Sequence, residues 1–261
     1  MTEKKPAVRR KAKRFFKWLS ILGLMVLFGA VIPSAQAQTV NVTATTEATG
    51  TMGTLQLLFV FVALALAPSL LIMMTSFTRI VIVLSFLRNA IGLQQTPPNQ
   101  VIVGLALFLS LFVMNPVLTQ VNEQGFQPYL NGEITQEEAL QNMEVPIKEF
   151  MLSQTKNDDL NMFAGLAMKN GDYQDVADPM EYGLEVVVPA FLTSELSRAF
   201  LMGFLLYLPF LVIDMIVAST LMSMGMVMLP PSMISLPFKL MLFVVVNGWS
   251  LLMETLVASF Q

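Results

Sequence analysis

The chain contains no cysteine and no histidine. Their absence excludes disulfides, thiolate or imidazole metal ligands, and Cys–His or Ser–His catalysis. Charge is scarce as well. Asp, Glu, Lys and Arg together make up 13% of 261 residues, where a soluble domain carries about 25%. A water-facing surface cannot be covered with so few charges, so much of the chain must face lipid or other protein. No G-x-x-x-x-G-K-[ST] stretch is present, so nucleotide chemistry is not expected. Carboxylates remain, but Asp214 has no second helical Asp to share acid–base work with, and the expectation is a protein that is not an enzyme and holds no cofactor.

What is present is apolar. Hydrophobic residues reach 55%, twenty of them methionine, and the mean hydropathy is +0.65. The net charge of −3 hides an asymmetry. Eight of the fifteen basic residues precede Trp18, and the rest of the chain carries seven basic against seventeen acidic residues. An acidic body of this kind repels nucleic acid, so no nucleic-acid partner is expected.

The first 37 residues have the three parts of a secretory signal. A basic stretch ends at Lys17, the apolar run Leu19–Ile32 follows, and Pro33-Ser34-Ala35-Gln36-Ala37 closes it. Small residues at 35 and 37 fit an A-x-A site, placing cleavage between Ala37 and Gln38. The apolar run is short for a span, which needs about 20 residues. An uncleaved anchor is the competing reading. Residues 38–53, rich in Thr, Ala and Gly, read as a flexible periplasmic segment.

Four apolar runs follow: Leu55–Ser76, Val101–Val121, Ala199–Met226 and Ile234–Met253. Pro68 interrupts the first and is expected to kink it. Residues 77–100 hold Arg79 and Arg88 and no acid, so they read as a cytoplasmic loop by the positive-inside rule. Residues 122–185 hold thirteen acids and three Lys, and then fall in the periplasm. Thr135-Gln136-Glu137-Glu138 has the form of a capping box. Leu140, Met143, Ile147, Phe150 and Met151 recur near helical spacing, and a second short helix is expected over Leu160–Lys169. The expected class is therefore all-α, with membrane-associated helical hairpins at 54–121 and 186–261 and an acidic helical periplasmic insertion at 122–185.

Glu195, Asp214 and Lys239 lie within or beside apolar runs. An ionisable group at the bilayer centre costs about 2.5–3.5 kcal/mol on insertion scales, so such groups face protein or water and often pair. Glu195 with Lys239 is one pairing, although a simple hairpin of full spans would put them at opposite ends. Two separate charges reaching water is the other reading. Asp214 has no obvious partner in the chain and suits an intersubunit contact.

Between the last two runs, Met222, Met224, Met226 and Met228 alternate ahead of Pro230-Pro231. Flexible thioethers could bind a soft metal such as Cu(I), fill a core, or form a deformable gasket around a pore. Alternate positions do not share one face of a regular helix, which favours an irregular loop. The double proline is expected to stop the preceding helix.

Three ordered stretches resemble the FliP family of flagellar export-gate proteins and their injectisome counterparts, the SctR proteins. They are Phe77-Thr78-Arg79-Ile80 through Gly104-Leu105-Ala106-Leu107-Phe108-Leu109, then Pro189-Ala190-Phe191-Leu192-Thr193-Ser194-Glu195-Leu196, then Met224-Gly225 through Asn247-Gly248-Trp249. The resemblance covers roughly residues 55–261. It implies a core subunit of a type III export portal, about five copies of which join FliQ-like and FliR-like subunits in a helical, pore-lined hetero-oligomer. It further implies other export-apparatus partners, a membrane setting at the flagellar basal body, and unfolded exported proteins as substrates. The same resemblance implies that Met222, Met224, Met226 and Met228 project into the channel. It also implies broken hairpins in which Glu195 and Lys239 can meet. The signal segment and the N-terminal extension favour the flagellar over the injectisome branch. A small ion-coupled transporter is the rival class, since proline-broken helices with Asp214 and Glu195 are what an ion site uses.

Overall fold

The computed structural model describes residues 58, 61–62, 65–66, 69, 72–93, 96–170, 178–226 and 228–260. The cleavage site at Ala37 and Gln38, the segment 38–53 and the kink at Pro68 lie outside the described residues. All elements among the described residues are helical, and no strand occurs among them. Of the first apolar run, residues 58, 61, 62, 65, 66, 69, 72 and 73 are helical.

Helix α1 spans Phe77–Ile91 and α2 spans Asn99–Val121. A π-helical turn, Asn122–Phe126, carries α2 into the one-turn α3, Gln127–Leu130. Helices α4 (Gln136–Gln154) and α5 (Asn157–Asn170) form the acidic segment. A 3-10 turn at Pro179–Glu181 leads to α6, Leu184–Ser223, which runs 40 residues without a break. Helices α7 (Pro231–Val245) and α8 (Gly248–Ala258) complete the chain.

Residues 77–100 are therefore not the loop expected from Arg79 and Arg88. Fifteen of them form α1, which buries Ile80, Val83, Leu84, Leu87, Ala90 and Ile91. The loop proper begins at Gly92, whose φ of 90° suits glycine. Its N–H and that of Leu93 bond the carbonyls of Asn89 and Arg88, closing the helix in a Schellman pattern. Counting basic residues locates polarity but does not separate a loop from a helix buried in protein.

Helix α1 is the axis of the larger core. Its buried face meets Ile102 and Ala106 of α2, Ala199 and Phe210 of α6, Phe243 of α7 and Leu252 and Leu256 of α8. Helix α6 runs parallel to α1. A Cβ on Gly203 would fall 2.5 Å from the Phe86 ring, so glycine is what lets the two backbones approach there. The α7–α8 pair returns antiparallel and bends by 64°. The bend is made at Asn247, whose φ of 52° is left-handed, a conformation Asn tolerates better than most residues. Gly248 follows against Phe243, where a Cβ would come within 2.3 Å of the ring.

A second core lies along the start of α6. Met151 of α4, Leu160 and Ala164 of α5, and Val187, Ala190 and Phe191 of α6 are buried together. The expected capping box is present: the Glu138 N–H donates to Thr135 Oγ1 at 3.3 Å and the Thr135 N–H to Glu138 Oε2 at 2.8 Å. Of the face expected for α4, Met151 is buried and Ile147 and Phe150 pack on this core, while Leu140 is exposed and Ala139, Pro146 and Lys148 are covered as well. Close approach explains the cover over Ala139. The π-helical turn brings Gly125 against Ala139 and Met143, with no room for a side chain.

Among the described residues, two helical stretches are long and apolar enough to cross a membrane, Asn99–Leu130 and Leu184–Ser223. The bent pair α7–α8 is a third if taken as one broken span. At 1.5 Å per residue α6 is about 60 Å long, roughly twice a hydrocarbon core. Only part of it can lie in lipid.

Candidate functional site

Arg79 sits in the first turn of α1 and is 1% exposed. A cation gains nothing from a helix N-terminus, so its place must be set by partners. Guanidinium has five N–H donors in a fixed fork, and each has an acceptor here. Nε donates to Glu195 Oε2 at 2.9 Å, and one Nη2 hydrogen goes to Glu195 Oε1. The other Nη2 hydrogen goes to Gln154 Oε1 at 3.1 Å. Nη1 donates to the Ser259 carbonyl at 2.8 Å and to Ser259 Oγ at 3.0 Å. The plane also lies over the Phe260 ring, 3.8 Å from its centroid. One side chain thus ties α1, the end of α4, α6 and the tail after α8 into one unit. Glu195 is wholly buried and its bidentate pairing with Arg79 keeps both charges matched.

The second cluster lies at the other end of α1. Lys239 Nζ donates to Asp214 Oδ2 at 2.6 Å and to the Ala90 carbonyl at 3.1 Å. Ser235 Oγ donates to the other carboxylate oxygen, Asp214 Oδ1, at 2.6 Å. A last-turn carbonyl of α1 is the negative end of the helix dipole, so the ammonium is favoured there twice over. Lys239 is 4% exposed. The Asp214 side chain is still 36% exposed.

The two bases are therefore matched differently from the expected Glu195–Lys239 pair. Glu195 meets Arg79, and Lys239 meets Asp214, which has an intrachain partner after all. The physical reason is the length of α1. Eleven residues separate Arg79 from Ala90, so the clusters stand about 16 Å apart along the helix. Folding the hairpin does not bring residues 195 and 239 together, because α6 places Glu195 at the start of α1 while α7 places Lys239 at its end, beside Ala90 and Asp214. Arg79 belongs to α1 and not to a loop, and a count of basic residues does not reveal its role. The detectable signal was the apolar spacing of Ile80, Val83, Leu84, Leu87 and Ile91 beside it, which marks a buried helix face.

Arg88, in the last turn of α1, reaches the α1–α2 loop instead. Nη1 donates to Asn99 Oδ1 and, at 3.5 Å, to the Pro97 carbonyl. It borders an apolar groove of about 250 Å³ lined by Leu87, Ile91, Val101, Leu105 and Trp249.

The methionine run occupies the turn between α6 and α7. Helix α6 ends in a Schellman motif: the Gly225 N–H bonds the Met222 carbonyl at 3.1 Å and the Met226 N–H bonds the Leu221 carbonyl at 3.0 Å. Gly225 has a φ of 77°, which completes that motif without strain. The double proline then plays a different part from the expected stop signal. Pro230 is the N-cap of α7 and Pro231 its first residue, where a missing N–H costs nothing. Backbone groups at this end of α6 are closed on one another. Met222, Met224, Met226 and Met228 are all exposed, Met228 to 99%. Met222 lies in the last helical turn and the other three beyond the helix.

A long apolar face is exposed beside this turn. Phe200, Phe204, Leu208, Leu211 and Met215 follow one another along α6 at helical spacing, and Phe238, Met241 and Val245 continue the pattern on α7.

The model of the FliP family matches residues 60–256. The flagellar biosynthetic protein FliP of Aquifex aeolicus is 51% identical over 207 residues, 79% of this chain and 86% of that protein. That of Bacillus subtilis is 46% identical over 223 residues, covering 85% and 98%. That of Caulobacter vibrioides is 47% identical over 259 residues, covering 98% and 96%.

Proposed function

The chain belongs to the FliP family, and from that membership we propose that it is a core subunit of the flagellar type III protein export gate, forming part of the pore through which unfolded flagellar proteins cross the inner membrane. The observation that carries this reading is the near full-length match to relatives named flagellar biosynthetic proteins. Their names favour the flagellar branch over an injectisome or a transporter. The exposed apolar faces of α6 and α7 support it, since a chain with so much uncovered hydrophobic surface needs lipid or subunits against it. The subunit associates with other copies of itself, about five in a closed or helical arrangement, and with FliQ-like and FliR-like proteins. The acidic segment lies on the periplasmic side, with residues 1–37 removed before assembly.

Within that assembly the turn bearing Met222, Met224, Met226 and Met228 projects into the channel and works as a gasket. Unbranched thioethers adopt many shapes at little cost, so several copies can close on one another or around a passing chain. The Arg79–Glu195 and Lys239–Asp214 clusters hold α6 and the α7–α8 pair in register on α1, which positions the turn between them.

Native mass spectrometry of the chain coexpressed with candidate FliQ-like and FliR-like proteins tests the assembly. A large hetero-oligomer whose chains begin at Gln38 is expected; a monomer or dimer with no partner would return the transporter reading. Replacing the four methionines with Ala should raise small-solute leak through the assembled complex. An unchanged leak with assembly intact would remove the gasket role.

A further inference from the structure

The methionines among the described residues fall into contrasting environments. Met114 and Met151 are buried in helix packing at 3% and 0% exposure. In the turn, Met222, Met224, Met226 and Met228 are 67%, 73%, 40% and 99% exposed, with Met233 of the first turn of α7 at 70%; Met215 and Met241 are comparably exposed but are spread along the apolar faces of α6 and α7. The Schellman closure and the Pro230-Pro231 start satisfy the backbone of the turn without calling on any of these side chains. Thioether oxidation follows exposure of the sulfur, because the oxidant must reach a lone pair. A cluster of sulfurs in one short turn is therefore a concentrated target. The chain has no cysteine to be oxidised first.

We propose that this turn is a methionine oxidation site, at which peroxide-class oxidants convert Met222, Met224, Met226 and Met228 to sulfoxides and thereby loosen the seal they form. The proposal rests on the gasket reading above and adds its regulation. In each step the thioether sulfur attacks one peroxide oxygen, the O–O bond breaks, an S–O bond forms, and water leaves. The sulfur is oxidised by two electrons and the peroxide reduced by two. A methionine sulfoxide reductase reverses the step, with a dithiol supplying the two electrons and becoming a disulfide. The physical consequence follows from polarity. A sulfoxide is a strong hydrogen-bond acceptor and holds water where the thioether excluded it, so apolar closure between copies gives way to a hydrated gap. The backbone of the turn, already closed on itself, has no reason to rearrange.

The test uses resealed inner-membrane vesicles from cells producing the full chain, treated with graded hydrogen peroxide. Peptide mass spectrometry reads which methionines gain oxygen, and small-solute leak is followed in parallel. The turn methionines are expected to oxidise on the order of tenfold faster than Met114 and Met151. Leak should rise with that oxidation and return when reductases for both sulfoxide epimers and a dithiol are added. A variant with Leu at 222, 224, 226 and 228 keeps an apolar turn that cannot be oxidised, and its leak should not respond to peroxide. Oxidation of the turn no faster than of Met114 and Met151 overturns the proposal. So does a peroxide-induced leak of equal size in the Leu variant. If the turn oxidises without leak while the Met→Ala variant leaks, the gasket stands and its redox control falls. If neither leaks, the gasket falls and this inference with it.

Discussion

The Arg79 cluster and the methionine turn invert the usual placement of residues. At Arg79 a full positive charge is buried and each of its five donors has an acceptor. At the turn, apolar side chains are left in the open while the backbone beneath them is closed. The first region is made of groups that cannot be changed singly, because removing one leaves others unmatched in a dry site. The second is made of exposed side chains, from 40% at Met226 to 99% at Met228. Stability should therefore reside in the first and not in the second, while permeability should depend on the second. The Lys239–Asp214 cluster lies between these extremes, since its lysine is buried and its aspartate half-exposed.

The largest effect is expected from Arg79→Ala. It removes the bidentate partner of the buried Glu195 and leaves only the Arg198 guanidinium, which bonds Gln154 Oε1 at 3.2 Å, as a nearby counter-charge; breaking a buried pair costs about 3–5 kcal/mol. Thermal unfolding of the purified protein in mild detergent should show a clear loss, not rescued by Arg79→Lys, since an ammonium cannot reach Glu195, Gln154 and Ser259 at once. A loss within about 0.5 kcal/mol would place the cluster among ordinary surface pairs. Lys239→Met comes next. It removes charged hydrogen bonds worth about 1.5–3 kcal/mol, but Asp214 can turn to solvent, so the cost should be smaller than at Arg79. A double-mutant cycle on each pair would rank them directly, and a larger coupling for Lys239–Asp214 would reverse the comparison.

Substituting Leu at all four turn methionines should change stability by no more than about 0.5 kcal/mol, as for exposed sites generally. A large destabilisation in the same unfolding experiment would mean that the turn packs within the chain. The smallest effect is local and depends on pH. Hydrogen bonds from the Thr135 backbone N–H and then its hydroxyl hold the exposed Glu138 carboxylate below its usual pKa of 4.5. A lowered folded-state pKa means the capping box contributes fully above about pH 4.5 and is lost as pH falls below the depressed value. Amide exchange in the first turn of α4, corrected for intrinsic rates, should accelerate over that acidic range and do so less in Glu138→Gln.

Local features were the most legible. The Thr135 capping box is present, and the short helix expected over Leu160–Lys169 is α5, Asn157–Asn170. Each depends on side chains a few residues apart. Most of the covered face of α4 was legible from Ile147, Phe150 and Met151, but the cover over Ala139 was not, because it follows from the contact of Gly125 with Ala139 and Met143, 14 or more positions away. The double proline was read as a stop and is a start, since proline interrupts a helix it follows and begins one it precedes. That the methionine run leaves a regular helix was legible, because alternate positions do not share one helix face; that its side chains are exposed was not, since core filling fitted the same residues.

The sequence by itself determined that this protein is helical, apolar and poor in reactive side chains, and its ordered motifs pointed to its family. These are properties of composition and short-range pattern, which the chain carries in any conformation. Only the tertiary structure decided which acid meets which base. Arg79, Glu195, Asp214 and Lys239 offer opposite charges in several combinations, and the choice was made by the rise of α1 and by the Gly203 and Asn247–Gly248 contacts that set where α6, α7 and α8 lie along it. Burial then enforced that choice, because a charge removed from water must find its partner within reach.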